Sequence, residues 1–478
     1  MPQPIEWLAT LNTELDARQK KVAEYRAWYE GDHPLPTPPS NTFAAHDAEA
    51  RRAFQAMARL GITNFMAPIV DMPASKLRIE GFRFGEQEIA ADAEAWSIWE
   101  RNNLTGDSDL STHGALETGQ AFALVWADSD GRATITIEDP EECIVAYQPG
   151  SRRLRAAALK RWVDDDGYVN ANVYLPDGIY KFRAKRKAES KLVVVSDDRG
   201  PEWEMREVAG ESWPLPNPTG TVSLYEIRAN PQLRASRFGG GRPEFVGQLN
   251  EQRKINHTVL QMLVTMDHQA FRQRWVTNWG IPVDEAGNPD KTMILRASAA
   301  SLAVFDADDP TRDVQVGEFS QADFAPFLAV IDRWVKVIAS TSGTPPYAFL
   351  LGDMINVAAD SLARIEGVQT NKIAAHGRTL GVDYTEILLA ALAVEGNEKA
   401  TDPSASVIWC EPEERTATEQ ANLAQIMRNL GAPDEVVFAT LPGVTQQEAQ
   451  RWVMNRAADQ LLTQALEPAP PEPAPAAP

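Results

Sequence analysis

No run of apolar residues in this sequence approaches the roughly 18 that a membrane-spanning helix requires, so a soluble protein is expected. Cysteine is almost missing. Cys143 and Cys410 are too few for a disulfide framework or a structural zinc site, and a reducing compartment suits them. The dipeptide Gly-Lys never occurs, which removes the common phosphate-cradling loop and with it that class of nucleotide-driven motor. His33, His46, His113, His257, His268 and His376 form no H-E-x-x-H and no helix-face pair, so none is assigned to a metal. Positive charge is in deficit, with 46 basic residues against 67 acidic ones and a net charge of -21. Sequence-reading nucleic-acid binders draw their affinity from basic neutralisation of phosphates, so this balance argues against one. It leaves DNA as a passenger, because an acidic wall repels phosphates and keeps a moving duplex from sticking.

Several near-matches to chemical motifs fail on inspection. Gly239, Gly240 and Gly241 precede a helix, but a dinucleotide fingerprint would need glycine where Glu244 stands, and the run reads as a turn. Asp164, Asp165 and Asp166 before Gly167 lack the bidentate glutamate of a calcium loop and read as a hairpin tip. Ser342-Gly343 is not a nucleophile elbow, and neither cysteine has a catalytic signature around it. Acidic residues abound, yet nothing singles out a hydrolytic carboxylate pair. No cofactor is expected. The N-terminal MPQPIEWLATLNTELDARQKK is amphipathic rather than a basic segment leading into an apolar one, so no secretory signal is read there.

At 478 residues the chain exceeds the about 250 to 300 at which single cores stop growing, so two or more domains are expected. Apolar spacing predicts a helix over the first 31 residues, with Ile5, Leu8, Leu11, Leu15, Val22 and Tyr25 near one face. A second helix is expected from about Ala48 through MARLGITNFMAPIVDMPASKLRI, and a third near Ala90 to Asn102 with Trp96, Ile98 and Trp99. From Ala121 the period drops to two. AFALVWA, ATITIED, AAALKRWV, YVNANVYL and IYKFRA, separated in part by DSDG, DDDG and PDG, predict an antiparallel sheet of hairpins.

Beyond RASRFGGGRPEF a helix is expected on Phe245, Leu249, Ile255, Val259, Met262, Leu263 and Met266. Another starts at about Gln321 with Phe324, Phe327, Leu328, Ile331, Val335 and Ile338 inward. Between them lies a mixed module of about fifty residues, too small for much core of its own. TSGTPPYAFLLGDMIN, residues 341 to 356, then interrupts two strong helices, since proline lacks the amide donor and glycine carries an entropic cost. Its apolar groups suit a surface held by a partner. A long helix, the strand SVIWCEPEE and two capping boxes, Thr416 with Glu419 and Thr445 with Glu448, complete the pattern before the proline-rich EPAPPEPAPAAP.

This order, with FGGGRPEFVGQLNEQRKINHTVLQMLVTMDHQAFRQRWVTNWG and SGTPPYAFLLGDMINVAADSLARIEGV, resembles the portal proteins of tailed bacteriophages, in particular long-tailed phages of actinobacteria. The resemblance extends over nearly the whole chain. It implies an α+β portal fold: N-terminal helices and an antiparallel β-rich wing over 1–240, stem helices over 241–270 and 321–340, and a small α/β clip over 271–320. A tunnel loop over 341–356, a tunnel helix over 357–397 and a helical crown over 398–466 would follow, with the Pro/Ala-rich tail, 467–478, read as disordered and outside the family pattern. The implied function is a homo-oligomeric ring, usually dodecameric, at one capsid vertex, through which double-stranded DNA is packaged and ejected. Terminase, a head-completion adaptor and the major capsid and scaffolding proteins are the implied partners. The virion, reached by assembly in the host cytoplasm, is the implied location.

By the same likeness Gly343, Pro345, Pro346, Tyr347, Phe349, Leu350 and Gly352 make the tunnel loop, the glycines as hinges and the apolar groups against neighbouring loops. Lys254, Arg364, Lys372 and Arg378 are candidate phosphate contacts in the channel or, equally, solvated or ion-paired positions. Trp275 and Trp279 are a candidate partner surface of the clip, against core packing. Two other readings stay open: another structural virion protein, adaptor or shell, and a hydrolase using acidic residues. A shell protein has no need of a constricting loop, which favours the portal.

Overall fold

The computed structural model describes residues 2–36, 40, 47–85, 91–185, 202–217, 220–233, 236–270, 274–277, 302–305, 315–318, 323–349, 359–411, 417–441, 444 and 446–466. Contacts divide the chain into two compact units, one of Met1–Arg26, Val70–Glu244 and Val357–Pro478, the other of Ala27–Ile69 and Phe245–Asn356.

The first unit is layered around two sheets. Helix α1 (Pro4–Glu30) lays Trp7, Leu8, Leu11 and Leu15 on Ile144, Leu159, Val173 and Phe182. These belong to a sheet ordered β4-β5-β6-β7-β8, built from Cys143–Tyr147, Arg155–Val163, Tyr168–Tyr174, Gly178–Lys185 and Glu204–Met205; β9 (Leu215–Pro216) pairs with β7. Alternate residues on the same strands, Cys143, Val145, Ala158 and Tyr174, face Phe122, Val222 and Leu224. Phe122 and Leu224 lie in the smaller sheet β10-β2-β3, of Leu224–Arg228, Gln120–Ala127 and Ala133–Glu138. Both faces of the larger sheet are therefore covered, and each fully buried large side chain contributes about 1.5 to 3 kcal/mol.

Helices α5 (Leu104–Thr118) and α8 (Ala359–Val394) pack on the smaller sheet. Strand β1 (Ile79–Arg83) pairs antiparallel with β14 (Ser406–Trp409), and α4 (Ala93–Arg101) packs near it with Trp96, Ile98 and Trp99 buried. Helices α9 (Ala417–Asn429), α10 (Asp434–Ala439) and α11 (Gln446–Leu466) end the described chain.

In the second unit α6 (Leu249–Ala270) and α7 (Ala325–Ser342) pack together, and α2 (Ala48–Leu60) packs on α6. Gly61 lies so close to the Leu260 backbone that a Cβ there would press on it. A mixed sheet β12-β11-β13, of Leu302–Phe305, Arg274–Thr277 and Gln315–Glu318, has β11 parallel to β12 and antiparallel to β13.

Three expectations change. The helix expected from Ala48 onward is two, because Gly61 ends α2 and the Asn64 carboxamide caps α3 (Ala67–Lys76) by accepting from Met66 N at 3.0 Å. The five strand patterns all form strands, but AFALVWA and ATITIED enter a different sheet from the other three. Between them the unpredicted β4 is buried on both faces, which erases the alternation that marks a half-exposed strand. Helix α5 was also unpredicted, since it buries Ser108, Ser111 and Thr112 where an apolar stripe would be sought. Both capping-box threonines and residues 467–478 lie outside the described residues.

Candidate functional site

The helix break in the second unit is a built turn. Gly343 takes φ 68°, a left-handed conformation that ends α7 and that glycine adopts without strain. Pro345, at φ -57° and ψ 139°, cannot extend a helix and opens a 3-10 turn over Pro346–Ala348. The turn is closed by Ala348 N donating to Pro345 O at 3.0 Å and Phe349 N to Pro346 O at 3.1 Å. Thr344 and Pro345 are buried, Tyr347 and Phe349 half-buried, and the Phe349 ring lies 6.1 Å from that of Phe65 at 58°. Leu350 and Gly352 fall outside the described residues.

Phe65 is in turn fixed by a polar ladder on α6 that the apolar pattern did not reveal. Gln248, at the end of the 3-10 turn before α6, and Gln252 and Asn256 within α6 recur every four residues. Fully buried Gln252 donates to Thr63 O at 2.7 Å and accepts from Phe65 N at 3.0 Å. Asn256 accepts from Thr63 N at 3.1 Å, and its amide lies 2.8 Å from His33 Nδ1. The other His33 nitrogen is 3.1 Å from Trp28 O, so it carries the proton and the ring is neutral; burial lowers its pKa. Lys254, on the same helix, stands 4.1 Å above the Trp334 ring and 3.3 Å from Glu251.

In the first unit α8 is clamped by charge. Buried Glu244 meets Lys372, His376 at 3.1 Å and the Asn230 amide at 2.7 Å. Burial alone would raise its pKa, but the His376 and Lys372 contacts outweigh it and carry the carboxyl down to about 2. One turn beyond Thr379, Asp383 accepts from Arg228 N at 2.8 Å and from its guanidinium at 2.7 Å. Here burial wins over the Arg228 contacts and raises the carboxyl to about 6. Tyr384 lies 2.7 Å from both the Ser111 and Thr112 hydroxyls and donates to Ser108 O at 3.0 Å. Its ring meets those of Trp99 and Trp409 edge-on, and Gly377 and Gly381 leave room for Trp409.

The triple glycine forms the expected turn, bridged from Ser236 to Gly239, and it also holds an anion, the protein's own. Buried Glu226 accepts from Gly240 N at 2.6 Å and from the Tyr147 hydroxyl at 2.9 Å. A side chain at Gly241 would overlap the carbonyl oxygens of Ala229 and Gly119. The turns DSDG and DDDG are hairpin tips, Asp164 accepting from Tyr168 N at 2.8 Å.

The predicted cations stand in different surroundings. Lys372 is engaged by Glu244 and Lys254 by Trp334 and Glu251, whereas Arg378 is exposed on α8 with Val368 and Val382. Arg364 lies on the described backbone of α8, about four turns before Arg378. Trp275 occupies the central strand β11, and Trp279 lies outside the described residues. Among the described residues no group of His, Cys, Asp and Glu is placed to hold a metal ion. The buried acids are committed to internal partners, an arrangement that positions helices.

A family model described as phage portal protein, SPP1 Gp6-like, matches residues 8–460. The chain is 24% identical over 382 residues to the portal protein of Mycobacterium phage D29, covering 74% of this chain and 70% of that protein. It is 23% identical over 379 residues to the portal protein of Mycobacterium phage L5, with the same two shares.

Proposed function

The chain belongs to the SPP1 Gp6-like family of phage portal proteins, and we propose that it closes into a dodecameric ring at one capsid vertex, a conduit for double-stranded DNA entering and leaving the head. Membership makes it a structural component of the virion, homo-oligomeric and associated with capsid and terminase, rather than an enzyme. In this reading α6 and α7 are the stem, the segment between them with β11, β12 and β13 is the clip that docks terminase and then the head-completion adaptor, and α8 is the tunnel helix. The tunnel loop begins at the Gly343–Phe349 turn. Residues 398–466 form the crown, and major capsid and scaffolding proteins contact the ring during assembly in the host cytoplasm.

The observation that carries the proposal is the span of the family match, residues 8–460, which contains the helix, insert, helix, Pro/Gly turn and long helix in that order. For the turn, Gly343 gives a hinge whose proline-stiffened start is anchored, so the loop can shift while α7 stays in place. Of the four cations offered to DNA phosphates, Arg364, Arg378 and the exposed Lys254 keep that assignment in this reading. Lys372 is engaged by Glu244 and acts in holding α8. Trp275 and Trp279 remain the proposed partner surface of the clip.

Negative-stain images of the full chain, classified by rotational symmetry over a range of concentrations, test the ring. Particles with a central hole are expected, and compact particles without one at every concentration would refute it. Deleting Pro345–Leu351 should leave rings intact while blocking packaging or retention of DNA; normally filled heads would refute the loop's role.

A further inference from the structure

The first unit carries a cationic surface in an otherwise acidic molecule. A cavity of about 850 Å³ is lined by, among others, Arg152, Arg153, Arg228, Arg237, Leu233 and Val382. Its charges do not balance internally. Arg228 is held by Asp383 at 2.7 Å, and Glu386, also in the lining, is held by Arg155 at 2.9 Å. Glu226, behind the glycines, is held by Gly240 N and Tyr147. Arg237 donates to Tyr147 O at 3.1 Å and lies over the Trp7 ring, and Arg152 donates to Gln232 O. Among the described residues Arg153 makes only a backbone bond, its N donating to Ser151 Oγ at 3.2 Å. Three exposed guanidiniums therefore meet no carboxylate among the described residues, in a chain of net charge -21.

Apolar groups stand beside them. Leu233 is 87% exposed, Leu154 59% and Val382 50%. A phosphate-bearing ligand would account for the arginines and not for the leucines. Arginine among exposed aliphatic side chains is the composition of a protein interface, and bidentate guanidinium contacts favour carboxylate partners. A ring built from one chain needs two unlike faces on each subunit, and an acidic chain supplies the complement of this face on its own copies.

We propose that the face formed by Arg152, Arg153, Arg237, Leu233, Leu154 and Val382 is one side of the subunit contact, docking on an acidic, partly apolar face of the neighbouring copy. The inference rests on the ring reading and identifies the surface that closes it. Charge contributes orientation and encounter, and the leucines supply the desolvated centre.

The test follows assembly of the full chain by mass photometry and negative stain against protein concentration and salt. The variants are Arg152→Glu with Arg153→Glu, the conservative Arg152→Lys with Arg153→Lys, and Leu233→Ser. All these positions are exposed, so unchanged melting curves establish that the variants fold. With wild-type rings in hand, the Glu pair is expected to need at least about tenfold more protein for half-assembly, the cost of reversing contacts worth one or more factors of ten. Leu233→Ser should weaken assembly at every salt, and the Lys pair should assemble nearly as wild type. Unchanged assembly of both the Glu pair and Leu233→Ser overturns the contact and leaves the ring reading intact, even if those variants lose affinity for another virion protein or for duplex DNA. A wild type that forms no ring at any concentration overturns the ring reading and this contact with it.

Discussion

Glu226 explains the first of the three glycines: the Gly240 amide must approach its carboxylate, and at Gly239, φ 69°, a Cβ would be thrust into that same carboxylate. Gly239→Ala should therefore lower the unfolding midpoint strongly, since it both strains the backbone and unseats a buried charge, at a cost of about 3 kcal/mol or more. The turn was legible in the sequence; its anion was not, because a carboxylate 14 residues upstream of Gly240 forms no motif spacing with it. Tyr384→Phe is expected to cost about 1 to 3 kcal/mol in thermal or denaturant unfolding, leaving the hydroxyls of Ser111 and Thr112 without their shared partner. Two buried acids on the α8 clamp should titrate with opposite sign. Glu244 falls from an ordinary 4.5 to about 2, so its contribution is complete above 4.5 and fades as the pH drops from 4.5 toward 2. Asp383 rises from 3.8 to about 6, so the folded state holds its proton more tightly and stability falls as the pH climbs from 3.8 to 6. Melting curves between pH 3 and 7 should lose the acid slope in Glu244→Gln and the slope between pH 4 and 6 in Asp383→Asn. An unaltered profile in either variant would show that another group dominates.

Elements with one wet face were legible and elements buried all round were not. The hairpins β2-β3, β5-β6 and β6-β7 announced themselves by alternation and by DSDG, DDDG and PDG between them, while β4, covered by α1 on one side and Phe122 and Leu224 on the other, carries no polar face to alternate with. The same physics hid the α6 ladder. Gln248, Gln252 and Asn256 occupy inward positions that an apolar template scores as errors, and only their recurrence every four residues was there to be noticed. That ladder sets the position of Phe65, and Phe65 meets Phe349 at the end of the turn, so the turn's end is held from the adjoining helix. Replacing Gln252 with Leu keeps the volume but strands Phe65 N and Thr63 O, while the Asn256 carboxamide keeps Thr63 N and His33. The expected loss is about 2 to 4 kcal/mol, the sum of one to two unmet buried groups. In rings that survive, its packaging phenotype should resemble a mild form of the loop deletion. A variant with wild-type stability would mean that water satisfies those groups.

For the molecule as a whole the deciding quantity is charge. A ring multiplies the net -21 of each subunit, and among the described residues the buried acids Glu226, Glu244 and Asp383 are matched by internal donors. Long-range repulsion of that size disfavours a resident duplex at low salt and is screened within about 8 Å at physiological ionic strength. On the proposed reading, contact with a moving duplex depends on single cations, and Arg378 is an exposed one on α8. Assembled rings should therefore bind a labelled duplex weakly at physiological salt, with a shallow dependence of log K on log salt, because each phosphate neutralised adds only about 0.9 to the slope. In rings that assemble, Arg378→Ala should flatten that slope further. Fluorescence anisotropy of a short duplex across a salt series reads both effects. Tight binding with a steep slope would mean that the lumen is a basic, gripping surface, and the acidic composition would then have to reside on the outside of the ring.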